Sequence, residues 1–467
     1  MGVHRQQGPV ARHRPLAGNL SPIFARSGAG GDLPKARLPE RPVDPDTAAQ
    51  LIGDELMLDG NARLNLATFV TTWMEPQARE LMAMTFDKNM IDKDEYPRTA
   101  DIEMRCVSIL SALWNSPDHE EATGTSTTGS SEAAMLAGMA LKWRWRERMR
   151  AAGKPTDRPN IVMGANVQVC WEKFARYWEV EPRLVPLEGD RFFLTADTVA
   201  DYCDENTIGV VAVLGSTFDG SYEPIAEICA RLDRLAAETG LDVPVHVDGA
   251  SGGFIAPFLD PDLAWDFRLP RVQSINASGH KYGLVYPGVG WVVWRNPEAL
   301  PEDLVFRVNY LGGDMPTFAL NFSRPGNQVV AQYYNFVRLG FEGFQAVHGA
   351  ARAVAMHLAK AVDAMDDFRC LTDGSQLPVF VFTTADGVDD FTVFDVSKSL
   401  REHGWLVPAY TFPENREDLA VLRVVVRNGF DRDLADLLLA DLAAVVEELR
   451  RSPASPAAEA QRHGFHH

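Results

Sequence analysis

The chain has 467 residues, with 45 Lys and Arg against 64 Asp and Glu, a formal charge of −19 and 46% hydrophobic residues. That length suggests about three domains at roughly 150 residues each, with cores that need no disulfide or zinc staples. The composition excludes fibrous and disordered classes, and the acidic balance argues against nucleic acid as the main partner, since phosphate backbones call for a basic surface.

The five cysteines, at 106, 170, 203, 229 and 370, form no CxxC pair. The reading is of reduced thiols in a cytoplasmic protein, with no metal site. The first 30 residues carry Arg5, Arg12, Arg14 and Arg26 but no apolar core of a secretion signal, and no apolar run approaches the length of a membrane helix.

Residues 1–43 hold seven basic and two acidic residues among many Pro and Gly, which reads as a mobile basic arm. The remaining chain therefore holds 38 basic and 62 acidic residues. A helical pattern begins at Asp46, and residues 73–89 form a second amphipathic stretch. Strand and helix signals then alternate. Strands are predicted at 161–163, 183–187, 208–214, 243–247, 272–277 and 290–294, with helices at 167–178 and 223–239. The run at 208–214 is apolar on both faces, as a strand covered by helices on either side should be. Such alternation predicts a doubly wound, mostly parallel α/β sheet. Beyond 345 the pattern changes to a helix at 350–365, strands at 379–383 and 422–426, and a helix at 432–449, a smaller α+β domain. The expected layout is an arm and helical segment at 1–63, a large domain at 64–345, a small domain at 346–451 and a mobile tail at 452–467.

Ligands of parallel α/β sheets sit beyond the carboxyl ends of strands. Asp248 closes one predicted strand, Thr217 follows another, and Lys281 lies just past a third. Taken alone, an Asp–Lys pair is most often a salt bridge. Gly129, Ser130 and Ser131 precede an Ala-, Leu- and Met-rich helix, where free backbone N–H groups and hydroxyls suit a phosphate. Alone, such serines are most often simple caps. No GxGxxG or P-loop is present. A phosphate cup, a strand-end Asp and a Lys beside His280 together describe a site for pyridoxal 5'-phosphate.

The segments KNMIDKDEYPRTADIEMRCV, GSSEAAMLAGMALKWRWRERM, QVCWEKFARYWEVE, CDENTIGVV, SINASGHKYG and LNFSRPGNQVVAQYYNFVRLG carry a specific resemblance. The chain resembles the bacterial glutamate decarboxylases, fold-type I pyridoxal-phosphate α-decarboxylases, from about residue 64 onward. The resemblance implies decarboxylation of L-glutamate to 4-aminobutanoate and CO2 by a homodimer at least, with hexamers known in the family. It implies Lys281 as the Schiff-base lysine and Asp248 as partner of the pyridine nitrogen. Ser130, Ser131, Ser278 and His280 would contact the phosphate, and Ser323 the phosphate of the neighbouring subunit. Gln168 would lie over the ring and Thr217 beside it. Thr68, Phe69, Asn89 and Asp92 would surround the distal carboxylate of glutamate, and Arg423 would take its α-carboxylate, with Arg427 as fallback on the same strand face. The terminal His467 is similar to a family histidine that plugs the site at neutral pH.

Departures from the family pattern are Gly249 where Ala is usual, and Phe218 and Asp219 in STFDG, which bear on substrate preference. Three rival readings remain, of which a cofactor-binding protein without catalysis is opposed by the intact Lys281 and Asp248; the other two are as follows. One is a related lyase acting on aromatic amino acids or sphingoid phosphates. The other is a serine hydrolase, because GASGG at 249–253 satisfies GxSxG, although Pro257 opposes the helix that such an elbow needs.

Overall fold

The computed structural model describes residues 34–117, 119–308 and 315–451. The chain divides into two compact units, Met1–Asn61 and Ala62–His467. Within the described part of the first unit, helix α1 (Pro45–Leu56) is capped by Asp44, whose carboxylate accepts the Thr47 N–H. Most of the arm, and the tail with His467, lie outside the described residues.

The second unit runs in chain order through α2 (Pro76–Met84), α3 (Pro97–Leu113), β1 (Thr123–Thr127), α4 (Ser130–Ala151), β2 (Asn160–Gly164), α5 (Val169–Tyr177), β3 (Glu181–Val185), α6 (Ala196–Val199), β4 (Thr207–Val213), α7 (Ile225–Thr239), β5 (Val245–Asp248), α8 (Ala256–Leu259), β6 (Val272–Ala277) and β7 (Gly290–Trp294). There follow β8 (Phe306–Val308), β9 (Met315–Thr317), α9 (Asn327–Asp363), β10 (Phe368–Cys370), β11 (Val379–Thr384), α10 (Val393–Glu402), β12 (Ala409–Thr411), β13 (Ala420–Val425) and α11 (Arg432–Arg451).

Seven strands form one sheet in the order β1-β7-β6-β5-β4-β2-β3, in which only β7 runs against its neighbours. All seven residues of β4 are buried, because helices cover both faces. Helix α7 packs Ile225, Ile228, Leu232 and Leu235 inward and ends at Gly240, whose φ of +75° suits the left-handed cap that a glycine tolerates. Each such aliphatic side chain contributes roughly 1.5–3 kcal/mol by leaving water.

The expected change beyond 345 is present as an antiparallel sheet of order β10-β11-β13-β12, with its own core of Phe380, Phe382, Leu422, Val424 and the inner face of α11. The predicted helix at 350–365 is only the second half of α9. The long helix begins at Asn327, runs through the expected division at 345/346, and bends at Gly340, where φ is +57° and ψ −167°. The chain crosses from the large sheet to the small one inside this helix. Sequence reading also passed over α10, closed by a reciprocal capping box between Thr392 and Asp395, and the antiparallel sense of β7. Among the described residues, no helix is long and apolar enough to cross a membrane.

Candidate active site

A cavity of about 330 Å³ opens at the carboxyl ends of β1, β2, β4, β5 and β6. Each strand sends its following loop into the wall: Gly129, Ser130 and Ser131 after β1, Asn166 and Gln168 after β2, Gly215 and Thr217 after β4, Ser251 after β5, and Ser278, His280 and Lys281 after β6. Asp248 closes β5 on the floor. Eight predicted residues therefore share one cavity, although they span 151 positions of sequence from Ser130 to Lys281.

Lys281 points its Nζ to Ser251 Oγ, 3.2 Å away, and stands 5.1 Å from the Phe69 ring centre. Burial lowers its pKa from the ordinary lysine value; Asp248 and Cys170 oppose that shift and the positive Arg423 adds to it. A lowered value enlarges the fraction of free amine at neutral pH, which is the form able to attack a carbonyl carbon. Asp248 accepts three hydrogen bonds: Trp171 Nε1–H on Oδ2 at 2.8 Å, and Ala250 N–H and Asn276 Nδ2–H on Oδ1, each at 3.1 Å. Its orientation is thus fixed by donors from α5, from the loop after β5 and from β6.

The opposite end is built for an anion. The first-turn N–H groups of the 22-residue α4 have no carbonyl one turn earlier to bond. Ser130 Oγ and Ser278 Oγ lie 2.7 Å apart, and the His280 ring rests on Gly129, where a Cβ would come within 2.9 Å of Cε1. His280 Nδ1 is buried with no partner. Burial, followed by the charge on Lys281, lowers the His280 pKa to about 4, so its imidazole is neutral near pH 7. Orphaned His280 Nδ1, two serine hydroxyls and a free helix start fit a phosphate at one end, and Asp248 fits a protonated ring nitrogen at the other. The residues present accommodate pyridoxal phosphate.

The cradle depends on close backbone packing. A Cβ on Gly290 would lie 2.5 Å from the Gly129 carbonyl carbon and 2.8 Å from Ser130 N. Gly290→Ala is expected to push the Gly129–Ser130 turn away and to raise the cofactor dissociation constant about tenfold or more, read by titrating apoprotein with pyridoxal phosphate.

Not every predicted residue reaches this cavity. Phe69 and Arg423 meet beside it, the guanidinium lying 5.0 Å from the ring centre, and Arg423 donates to the Thr217 and Ala67 carbonyls. Its Nε is buried without a partner. Arg427 is spent elsewhere, on the Val70 carbonyl, Thr72 Oγ1 and the Ala62 and Asn65 carbonyls. Its guanidinium thus clamps the 62–72 segment, while its Nε, like that of Arg423, is buried without a partner. Thr68 caps its own turn, accepting the Val70 N–H at 3.1 Å. Asn89 and Ser323 pair with each other at 3.3 Å, and Asp92 N–H donates to the Asn89 carbonyl. Asn89, Asp92 and Ser323 do not line the cavity. Gln168 lines it, while its Oε1 caps α5 through the Cys170 N–H at 2.8 Å.

The departures turn aside from the chemistry. Phe218 packs with Tyr410 and Phe412, and the buried Asp219 accepts from Ser221 N–H and Oγ–H. Burial raises the Asp219 pKa against these bonds. Gly249 has less room than its sequence suggested, since a Cβ there would sit 3.0 Å from the Asn276 carbonyl. Ser251 occupies a 3-10 turn entry with φ −105°, not a strained strand-to-helix elbow, and its hydroxyl partners Lys281. Sequence reasoning missed Asn166, Trp171, His246 and Asn276. The signal available for the last two was the polar alternation of VHVD and QSINA inside otherwise apolar strands.

The fold and this cavity together define a class, and comparison with known families states which. Residues 39–385 match the family model described as the pyridoxal-dependent decarboxylase conserved domain, and the chain belongs to that family. It is 56% identical over 451 residues to a glutamate decarboxylase of Aliivibrio fischeri, covering 96% of this chain and 97% of that one. Among solved structures, a Lactobacillus brevis glutamate decarboxylase superposes with a TM-score of 0.90 at 48% identity, covering 93% of this chain and all of that one. A Burkholderia pseudomallei sphingosine-1-phosphate lyase shares the fold with a TM-score of 0.75 at 24% identity, covering 91% of this chain and 95% of that one.

Proposed function

We propose that the chain catalyses the α-decarboxylation of L-glutamate to 4-aminobutanoate and CO2, with uptake of one proton and pyridoxal phosphate as cofactor. The observation that carries the reading is the near full-length identity to a glutamate decarboxylase, together with a cavity that joins Lys281, Asp248 and a phosphate cup. Fold alone would leave the sphingoid and aromatic lyases open, because one fold hosts several substrates.

When bound, pyridoxal phosphate supplies an aldehyde for the substrate amine and a protonated ring that accepts the electron pair left behind by CO2. Ser130, Ser131, Ser278, His280 and the start of α4 hold the phosphate. Asp248 holds the proton of the ring nitrogen. Lys281 would hold the cofactor through its aldehyde, and its amine, free while substrate occupies the site, would be placed to retake it. Gln168 and Thr217, which line the cavity, would lie beside the cofactor, and Arg423 would take and orient the substrate α-carboxylate. Val213 in the wall, with the buried Phe69 ring 5.1 Å from the Lys281 amine, would keep water from the reacting carbon.

Asn89, Asp92 and Ser323, with Thr68, are assigned to the substrate's distal carboxylate and to the phosphate of a neighbouring protomer. Their place outside the cavity of one protomer supports a homodimer as the minimal active unit. Exposed Met104 and Ile109 of α3, with Val337 and Phe341 of α9, offer apolar surface for such a contact. The reading places the enzyme in the cytoplasm, with residues 64–345 carrying the cofactor, 346–451 carrying Arg423, 1–63 as an accessory segment, and 452–467 as a regulatory tail through His467.

Purified protein supplied with pyridoxal phosphate is expected to release CO2 from glutamate and to form 4-aminobutanoate, measured by manometry and chromatography. A strong preference for tyrosine over glutamate refutes the substrate assignment while leaving the class intact.

A further inference from the structure

Beneath the cavity floor lie polar side chains that the steps above leave unused. His246 and Asp248 sit two apart on β5, Ser274 and Asn276 two apart on β6, and the parallel register sets His246 beside Ser274 and Asp248 beside Asn276. Residues two apart on a strand share a face, so the four form one stripe. His246 and Asn276 are fully buried and Ser274 nearly so, in a sheet where an unpaired polar group is costly. Every one is paired. Ser274 Oγ lies 2.8 Å from His246 Nδ1, His246 Nε2 lies 2.7 Å from Asn276 Oδ1, and Asn276 Nδ2 lies 3.1 Å from Asp248 Oδ1.

The direction of this chain follows from its end. A carboxylate oxygen accepts, so the Asn276 NH2 faces Asp248 and the Asn276 carbonyl oxygen faces His246. A carbonyl oxygen also only accepts, so the proton of the imidazole sits on Nε2. With Nε2 protonated, Nδ1 of the neutral ring accepts a hydrogen bond from the Ser274 hydroxyl. Neutrality is favoured by burial, which lowers the His246 pKa to about 4 against the pull of Asp248. Trp171 braces the arrangement: its ring centre lies 5.1 Å from that of His246 while its Nε1 donates to the other oxygen of Asp248.

We propose that Ser274, His246 and Asn276 form a one-way hydrogen-bond relay that aims Asp248 at the ring nitrogen of the cofactor, making His246 and Asn276 positioning residues. The proposal rests on reading the cavity as a pyridoxal-phosphate site. Only Asp248 meets the cofactor; the relay acts through it, fixing which lone pair Asp248 presents.

The test combines titration of apoprotein with pyridoxal phosphate, followed by tryptophan fluorescence, with ¹⁵N-histidine NMR of the same apoprotein. Wild-type protein should show His246 as the Nε2–H tautomer, with no titration near neutral pH. Asn276→Leu should raise the dissociation constant about tenfold or more, the effect expected when a hydrogen bond to a charged acceptor is lost. Val247→Ala, fully buried on the opposite face of β5, serves as the packing control. It should lower the melting temperature yet leave cofactor affinity within about twofold. Should Asn276→Leu fail to fold, Ser274→Ala removes only the far donor, and should loosen the tautomer preference and weaken binding about threefold. A proton on Nδ1 in the wild type, or unchanged affinity in these variants, overturns the relay. A wild-type apoprotein that takes up no pyridoxal phosphate refutes the cofactor reading itself, and the relay with it.

Discussion

Lys281→Ala is expected to abolish CO2 release from glutamate, by on the order of 10³-fold or more, and to remove the visible absorption that marks covalently attached pyridoxal phosphate. The reason is local. Lys281 contributes the one amine of the cavity wall, and its lowered pKa keeps that amine available as a nucleophile. The phosphate end is built separately from Ser130, Ser278, His280 and α4, so the variant should still bind the cofactor without the covalent link. The fold should survive, because the amine makes a single hydrogen bond, to Ser251, and removing a desolvated amine relieves a burial cost. Retained absorption together with retained turnover would place the attachment elsewhere.

The two arginines of β13 and its exit make a second, paired prediction. Arg423→Gln should lower kcat/KM for glutamate about 10²-fold or more, with a modest change in melting temperature, as expected when a charge-assisted contact to a carboxylate is lost. Arg427→Gln should act first on stability, by about 3 kcal/mol or more. It strips the buried guanidinium from four acceptors at 2.5–3.1 Å and leaves several of them unpaired. Activity in that variant should fall only as the 62–72 segment loosens, because Thr71 in that segment binds the backbone of both His280 and Lys281. Denaturant melts and steady-state kinetics on both variants separate the roles. An Arg427 variant of normal stability with severely reduced kcat/KM would favour Arg427 over Arg423 as the carboxylate partner.

These two residues also show where sequence reading ends. Positions 423 and 427 lie on one face of a predicted extended segment, and nothing in the local pattern says which acceptors each guanidinium meets. The choice is made by the 62–72 segment, some 360 positions earlier, which folds back and occupies Arg427. Gln168 gives a similar lesson in reverse. Its position just before an amphipathic run was legible, but its use as the cap of α5 depends on the turn that brings Oε1 to the Cys170 N–H. The polar stripe of His246, Asp248, Ser274 and Asn276 was present in the residues as period-two alternation. Its meaning needed the register of β5 against β6, which no single strand contains.

The acidic balance of the chain and its two-part pattern, alternating elements followed by a different arrangement beyond 345, came from composition and periodicity alone. The cofactor class was legible from residue types at the element boundaries, because Asp248 closes a strand, Lys281 follows another and Ser130 and Ser131 open α4. Such signals are local: burial repeats every two residues in strands and about every 3.6 in helices, so they survive without knowledge of neighbours. Tertiary structure decided which acceptors each arginine meets, and that α9 carries the chain from one sheet to the other. It also turned Phe218 and Asp219 away from the cavity, and kept Asn89, Asp92 and Ser323 out of the cavity that Lys281 lines. Those outcomes depend on contacts between residues hundreds of positions apart, where chain direction, register and packing select among side chains that look equivalent in the sequence.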